Sequence, residues 1–307
     1  MQLRLFAPRY WLTWVGFAVL RLLAFLPYPA LLALGRALGW LVLQFPNRWM
    51  QIARRNLELC LPELTSTERE QLLREHFASL GIGLVEIPLA WWASSARIER
   101  LVQVEGLEHL RAAQAGGRGV ILLSAHFTVI ELGGRVLGQL APMRFLYRPT
   151  RNEALAYIMN RRRRGFGSYP IPRDDIRAFV QALRRGEAVW YAPDQSYRHK
   201  GAEMVPWFGI PAATNTLTPR LARISAAPVL PYFLQRLPGT RGYRAVIHPP
   251  LDSYPSGDDI ADTERFNRLI EAQVRQVPEQ YLWIHRRFKG LSADYPNYYA
   301  RQAPRRA

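Results

Sequence analysis

His126 and Glu131 lie five positions apart in Ile121-Leu-Leu-Ser-Ala-His-Phe-Thr-Val-Ile-Glu131, where an apolar, β-prone run stops at a histidine and a helix-like pattern follows. An imidazole delivered to the end of a strand is suited to take a proton from a hydroxyl, and a carboxylate beside it can hold one tautomer. In a regular helix, positions i and i+5 point roughly 140° apart, so the two side chains meet only if His126 stands in the loop or first turn. The spacing therefore predicts a strand-to-helix corner with Glu131 as the partner of His126. Spacing alone fits a core histidine beside a chance acid equally well. Ser124 is a weaker candidate as a nucleophile, because its side chain sits one pleat away in the strand.

The elements that must position this pair alternate along the chain. Strands are expected near 102–104, 119–124, 143–147, 188–191, 229–234 and 244–248, and helices near 127–139, 152–164, 174–185, 215–225 and 262–276. Thr65-Ser-Thr-Glu68 reads as a capping box opening a helix that runs through His76 to about Trp92. Alternation of this kind predicts an α/β fold with a largely parallel sheet flanked by helices. Ligands of such sheets bind at the carboxyl ends of strands, and His126, Arg148 and Asp194 each follow an expected strand end. Three signals thus converge on one rim.

Length and composition set the frame. The 307 residues hold no Gly/Ser-rich linker and no internal repeat, so one substantial domain is expected. A formal charge of +17 points to a polyanionic partner: nucleic acid, an anionic membrane surface or an acidic carrier protein. The single cysteine, Cys60, excludes an internal disulfide framework and reads as a small buried hydrophobe. Residues 10–20 and 22–35 carry no acid, Lys or Arg, with Arg21 alone between them. A helix over 10–26 would insert only marginally, since Arg21 costs about 2.5 to 3.5 kcal/mol against a gain of roughly 4 from the apolar side chains. We read residues 1–40 as a retained N-terminal membrane anchor, with an in-plane hairpin as the alternative. Arg36, Arg48, Arg54 and Arg55 after it, against Arg4 and Arg9 before it, put the main domain at 41–291 on the cytoplasmic side. Residues 292–307, rich in Tyr, Pro and Arg, are expected to form a basic flexible tail.

Several chemistries are excluded by absent motifs. The chain has no G-x-S-x-G elbow, no phosphate loop, no dinucleotide fingerprint and no H-E-x-x-H helix, and no metal site is legible. No RNP-like, helix-turn-helix or zinc-finger signature supports nucleic-acid binding. His76, His109 and His199 lie in polar stretches and are expected at the surface, while His285 falls in a basic aromatic segment suited to a lipid or phosphate surface. Trp91, Trp92, Trp190, Trp207 and Phe208 are candidates to line an acyl groove, although such spacings more often mark ordinary core.

Ala7-Pro-Arg-Tyr-Trp-Leu-Thr-Trp14, Arg55-Asn-Leu-Glu-Leu-Cys-Leu-Pro62, His126-Phe-x-x-x-Glu131, Tyr147-Arg-Pro149, Trp190-Tyr-Ala-Pro-Asp194, Pro211-Ala-Ala-Thr214 and Pro278-Glu-Gln-Tyr-Leu-Trp-Ile-His-Arg-Arg-Phe-Lys289 follow one another in order. Together they resemble the late (secondary) acyltransferases of lipid A biosynthesis, in particular the lauroyltransferase branch. That family belongs to the glycerol-phosphate acyltransferase-like superfamily, whose members share the His-x-x-x-x-acid pair. The resemblance implies transfer of a fatty acyl chain, of about lauroyl length, from acyl carrier protein to a 3-hydroxyacyl hydroxyl of a Kdo-lipid A precursor at the cytoplasmic face of the inner membrane. It implies His126 as general base, Glu131 as its orienting acid, Arg148, Arg163 and Asp194 as substrate-binding residues, and neither metal nor cofactor. Related acyltransferases often carry Glu-Gly where this chain has Asp194-Gln195, which weakens the assignment of Asp194 to substrate. A membrane-bound lysophospholipid acyltransferase using acyl-CoA with the same His126 and Glu131 is the rival reading.

Overall fold

Five α-helices precede the first strand in the computed structural model, which describes residues 3–148 and 150–300. They are α1 (Trp11–Leu23), α2 (Tyr28–Leu43), α3 (Arg48–Cys60), α4 (Ser66–Trp92) and α5 (Ser95–Leu101). Strands and helices then alternate: β1 (Val102–Glu105), α6 (Leu107–Ala115), β2 (Val120–Leu123), α7 (Ile130–Leu140), β3 (Met143–Tyr147), α8 (Glu153–Arg164), β4 (Ser168–Pro172), α9 (Ile176–Arg184) and β5 (Ala188–Tyr191). A hairpin, β6 (Ala202–Trp207) and β7 (Ile210–Asn215), leads into α10 (Leu217–Ser225), β8 (Val229–Arg236), β9 (Tyr243–Ile247) and α11 (Asp259–Gln276). Met1, Gln2, Pro149 and residues 301–307 lie outside the described residues, and with them the proline of the Tyr147-Arg-Pro149 motif and the end of the expected basic tail.

The main sheet has the order β1-β9-β8-β2-β5-β3-β4. Among the described residues only the β8–β9 pairing is antiparallel; the rest are parallel. β2 lies at its centre, and all four of its residues are fully buried, as a strand covered on both faces must be. The six expected strands are all present, and the largely parallel α/β architecture is as expected. β4 and the β6–β7 hairpin were not anticipated, because prolines interrupt both. Pro170 and Pro172 are tolerated in β4, an edge strand that pairs on one side only. The hairpin turns through Phe208 and Gly209, with φ of 49° and 74°, the two positive values that a tight two-residue turn requires.

The capping box is formed as expected: the Thr65 side chain accepts from the Glu68 amide, and the Glu68 carboxylate accepts from the Thr65 amide. The helix it opens, α4, buries Leu72, Leu73, His76 and Phe77 along one stripe while Arg74 and Glu75 face out. His76 is therefore not the surface residue its polar neighbours suggested: it is fully buried, with Nδ1 3.1 Å from the Glu279 carbonyl oxygen. The period of the helix, not local polarity, decides its side.

The first forty residues do not form one element. The expected helix over 10–26 stops at Leu23, and α2 turns back to pack on α4. Gly35 and Gly39 permit that contact, since a Cβ on Gly39 would lie 2.1 Å from the Phe77 carbonyl oxygen. Leu31 and Leu32 of α2 are buried in the protein interior. Among the described residues no single helix is long and apolar enough to cross a membrane; only α2 with α3 passes that test as a pair, bent by 95°.

Candidate active site

β2 and β5 are neighbours in the sheet, so the loops leaving their carboxyl ends are adjacent by construction. His126 stands three residues past β2 and Asp194 three residues past β5. The imidazole Nδ1 is 2.6 Å from Asp194 Oδ1, and the His126 amide donates to Asp194 Oδ2 at 3.1 Å. Tyr281 donates its hydroxyl to the same Oδ2 at 3.0 Å. Asp194 is 1% exposed, and three donors satisfy its carboxylate. Nδ1 then carries the proton and donates to Asp194, leaving Nε2 as the basic nitrogen. Burial disfavours the imidazolium, but the charge and hydrogen bond of Asp194 outweigh it and raise the pKa of His126 above its ordinary value. Asp194 is the mirror case: burial pushes its pKa up, and His126 together with the surrounding donors brings it below the usual carboxylate value.

Glu131 does not hold His126. As the spacing implied, the pair sits at a strand-to-helix corner, but Glu131 lies in the first turn of α7 and turns toward α4 and α8. Its Oε1 accepts from Trp91 Nε1 at 2.6 Å and from Arg163 Nε at 3.0 Å, and Oε2 accepts from Arg163 Nη2 at 2.5 Å. The carboxylate is fully engaged by these two partners. Arg163, expected to contact substrate, spends two of its donors on Glu131 and lies over the Phe145 ring with its guanidinium carbon 4.8 Å from the centroid. The physical reason is the path of the loop between β2 and α7. Thr128 donates its amide to the Gln280 carbonyl, and the His126 carbonyl accepts from Leu282, which draws His126 toward the Tyr281 segment and away from α7.

A second tether holds the same loop from the opposite side. Thr128 Oγ1 lies 2.8 Å from Ser79 Oγ, which accepts from Arg236 at 3.0 Å. Arg236 forms a bidentate, buried ion pair with Glu86, with both N···O distances 2.7 Å, and Tyr243 donates to the same carboxylate. β8, β9 and α4 are thereby locked together behind the histidine.

His126 opens on a cavity of about 600 Å³ at the carboxyl ends of the central strands. Ile130, Leu146, Trp190 and Leu217 supply apolar wall; Arg148, Arg173, Lys200 and Arg220 supply positive charge. Asp174 is the one carboxylate among the described lining residues. Arg148 lies exposed at this rim, as its place after β3 predicted. The cavity volume is in the range of small-molecule sites, and its mixture of apolar wall and cationic rim suits an amphiphile bearing anionic groups.

Of the five aromatic candidates for a groove, Trp190 lines this cavity. Trp207 is fully buried core, Trp91 serves Glu131, and Phe208 packs on the Trp207 ring. Ser124 is buried at the end of β2, where its amide donates to the Tyr191 carbonyl. His285 is drawn in rather than exposed to a lipid surface: its Nε2 accepts from the Ser196 amide at 3.0 Å, tying down the loop that follows Asp194. Burial lowers its pKa to about 4, so it is neutral near pH 7 and can accept that bond. Tyr281 and His285 were missed as site residues, their place in the 278–289 stretch being the only signal that pointed at them; Trp91, expected to line a groove, instead donates to Glu131.

A family model described as bacterial lipid A biosynthesis acyltransferase matches residues 1–290. The chain is 44% identical over 283 residues to the lipid A biosynthesis palmitoleoyltransferase of Escherichia coli K12, covering 92% of each chain. It is 40% identical to the lipid A biosynthesis lauroyltransferase of the same organism, over 95% of this chain and 96% of that one. A lipid A biosynthesis acyltransferase of Haemophilus influenzae is 38% identical over 92% of both.

Proposed function

The chain belongs to the bacterial lipid A biosynthesis acyltransferase family, and we propose on that footing that it moves a fatty acyl chain from acyl carrier protein to a 3-hydroxyacyl hydroxyl of a Kdo-lipid A precursor, at the cytoplasmic face of the inner membrane. The observation that carries the reading is the His126–Asp194 pair opening on a cavity with an apolar wall and a cationic rim.

A secondary hydroxyl is a weak nucleophile at neutral pH, and a thioester is already activated. Nε2 of His126 accepts the hydroxyl proton while that oxygen bonds to the thioester carbonyl carbon. The tetrahedral centre then expels the carrier thiolate, which takes the proton back from Nε2. Asp194 keeps Nδ1 protonated and stabilises the imidazolium that forms between the two steps. No enzyme nucleophile is needed, so transfer is direct. Within this reading Asp194 takes the orienting role that the spacing had assigned to Glu131. The Glu131–Arg163 pair positions the wall between α4, α7 and α8 rather than the proton. Arg148, with Arg173 and Lys200, offers donors for the phosphates of the precursor or for the phosphodiester of the carrier's prosthetic arm.

The donor chain is the least constrained part. Lauroyl is the expectation, but the relatives named above differ in the acyl group they carry. The test is an assay on a defined Kdo-lipid A precursor and, in parallel, on a lysophospholipid, with lauroyl, myristoyl and palmitoleoyl carriers and the matching CoA thioesters, read by mass spectrometry for chain and position. Transfer from carrier to a 3-hydroxyacyl oxygen supports the proposal. Transfer only from CoA, onto a lysophospholipid, replaces it with the rival reading.

A further inference from the structure

We infer that α1 lies in the plane of an anionic lipid leaflet, with a headgroup phosphate held between Arg21 and Arg162. This rests on the reading that the acceptor is a lipid, and adds how the protein meets the bilayer that supplies it.

Leu12, Val15, Val19 and Leu22 occupy positions i, i+3, i+7 and i+10 of α1, and all four are exposed, Leu12 at 85% and Leu22 at 68%. Phe25 extends the stripe at 71% exposure. The opposite stripe, Tyr10, Phe17 and Ala24, is buried against the protein. A helix in water places its apolar stripe inward; α1 presents a second one outward along its whole length. Such a face on a helix of 13 residues, about 20 Å long, is too short for a hydrocarbon core of about 30 Å but suits a leaflet surface.

The helix is also held to the rest of the protein at both ends. Asn152 donates to Thr13 Oγ1 at 2.8 Å near its start, and the Arg97 guanidinium donates to the carbonyls of Ala24 and Leu26 beyond its end. The Phe17 ring packs on Trp91, with centroids 6.1 Å apart. α2 cannot prolong α1 across a bilayer, because Gly35 and Gly39 bind it closely to α4.

Charge identifies the occupant. The guanidinium carbons of Arg21 and Arg162 lie 5.9 and 5.1 Å from the ring centroid of Trp92, and Arg21 also lies 5.3 Å from Phe25 on the exposed stripe. Among the described residues neither arginine has a carboxylate partner, and Arg162 Nε is buried without any acceptor. Burial and then the neighbouring Arg21 charge depress the pKa of Arg162, as expected of two cations lacking an anion between them. Two guanidinium groups around one indole, at the edge of an apolar stripe, match a phosphate at the level of lipid headgroups.

The test uses the full chain with Cys60→Ala and single cysteines at positions 12, 15, 19 and 22, each labelled with a fluorophore. Quenching is measured with brominated lipids in phosphatidylglycerol–phosphatidylcholine vesicles. An in-plane helix places all four labels at one shallow depth, and Arg21→Gln with Arg162→Gln reduces binding to these vesicles about tenfold. Depth that rises and falls along the four positions means a spanning helix and overturns the inference. Unquenched labels mean that the face docks a protein, such as the acidic carrier, and overturn it too. An undiminished preference for the anionic vesicles in the double variant removes the phosphate clamp. Acyl transfer to a detergent-dispersed acceptor, run alongside, separates the failures: if it persists, only the seating inference falls.

Discussion

Asp194 and Glu131 are both carboxylates within the reach of one loop, yet they hold different partners, and substitution separates the roles we propose for them. Asp194→Asn leaves the shape but removes the charge that raises the pKa of His126 and the acceptor that fixes its tautomer. We expect the rate to fall on the order of 10³ to 10⁴. In the proposed mechanism His126 must be neutral to act, so we expect the acid limb of the kcat/KM profile above the ordinary histidine value of 6.5, and in Asp194→Asn at lower pH. Glu131→Gln, whose partners are Arg163 and Trp91, should lower kcat more modestly, by roughly tenfold, with the acid limb unmoved, if it positions a wall and not the base. Profiles of the two variants side by side decide the assignment; a shifted limb in Glu131→Gln would return it to the histidine. His126 was legible because a run of β-prone residues stops at it. Its partner was not, because Asp194 stands 68 positions away and reaches it only through the pairing of β2 with β5.

The contacts between elements make the site rigid, and the buried Glu86–Arg236 pair is the one to probe. It joins α4 to β8 and, through Tyr243, to β9. Removing one partner strands a buried charge, so Arg236→Met should cost about 3 to 5 kcal/mol in urea unfolding, while Arg236→Met with Glu86→Leu should recover much of the loss. Equal losses in the single and double variants would show that the pair is not desolvated. Gly39→Ala pushes a methyl against the Phe77 carbonyl and should cost about 1 to 3 kcal/mol by separating α2 from α4. A neutral result would mean that the helices are not packed this closely. The alternation of strands and helices could be read directly, and so could the capping box at Thr65. The prolines of β4 and of the β6–β7 hairpin hid three strands, since propensity cannot see that an edge position tolerates them. The hydrophobic first forty residues read as a single anchor because composition does not separate an outward stripe on α1 from an inward one on α2.

For the molecule as a whole, the buried His76 and the partly buried His285 shape the response to acid. His76 and His285 have pKa values near 4, below the unfolded value of about 6.5, because burial disfavours their charged forms. The unfolded chain therefore binds more protons between those limits, and stability falls as pH drops from 6.5 toward 4, by about 3 kcal/mol for His76 alone. His126, with its raised pKa, acts in the opposite sense and offsets part of the loss. Thermal midpoints measured from pH 7 to 4.5 should decline, and less steeply in His76→Gln; an identical slope would mean that His76 titrates normally. The charge of +17 was legible as a call for a polyanionic partner, and the cavity concentrates part of it in Arg148, Arg173 and Lys200. Their convergence on one rim follows from strand order, which no local pattern reports.

The most direct test of the account is single-turnover transfer from lauroyl carrier protein to a Kdo-lipid A precursor by His126→Ala protein whose circular dichroism and thermal midpoint match the wild type. Loss of the general base predicts a rate lower by on the order of 10² to 10⁴, with folding unchanged. A rate within a few-fold of the wild type would show that the proton leaves the hydroxyl by another route, and that His126 is not the base.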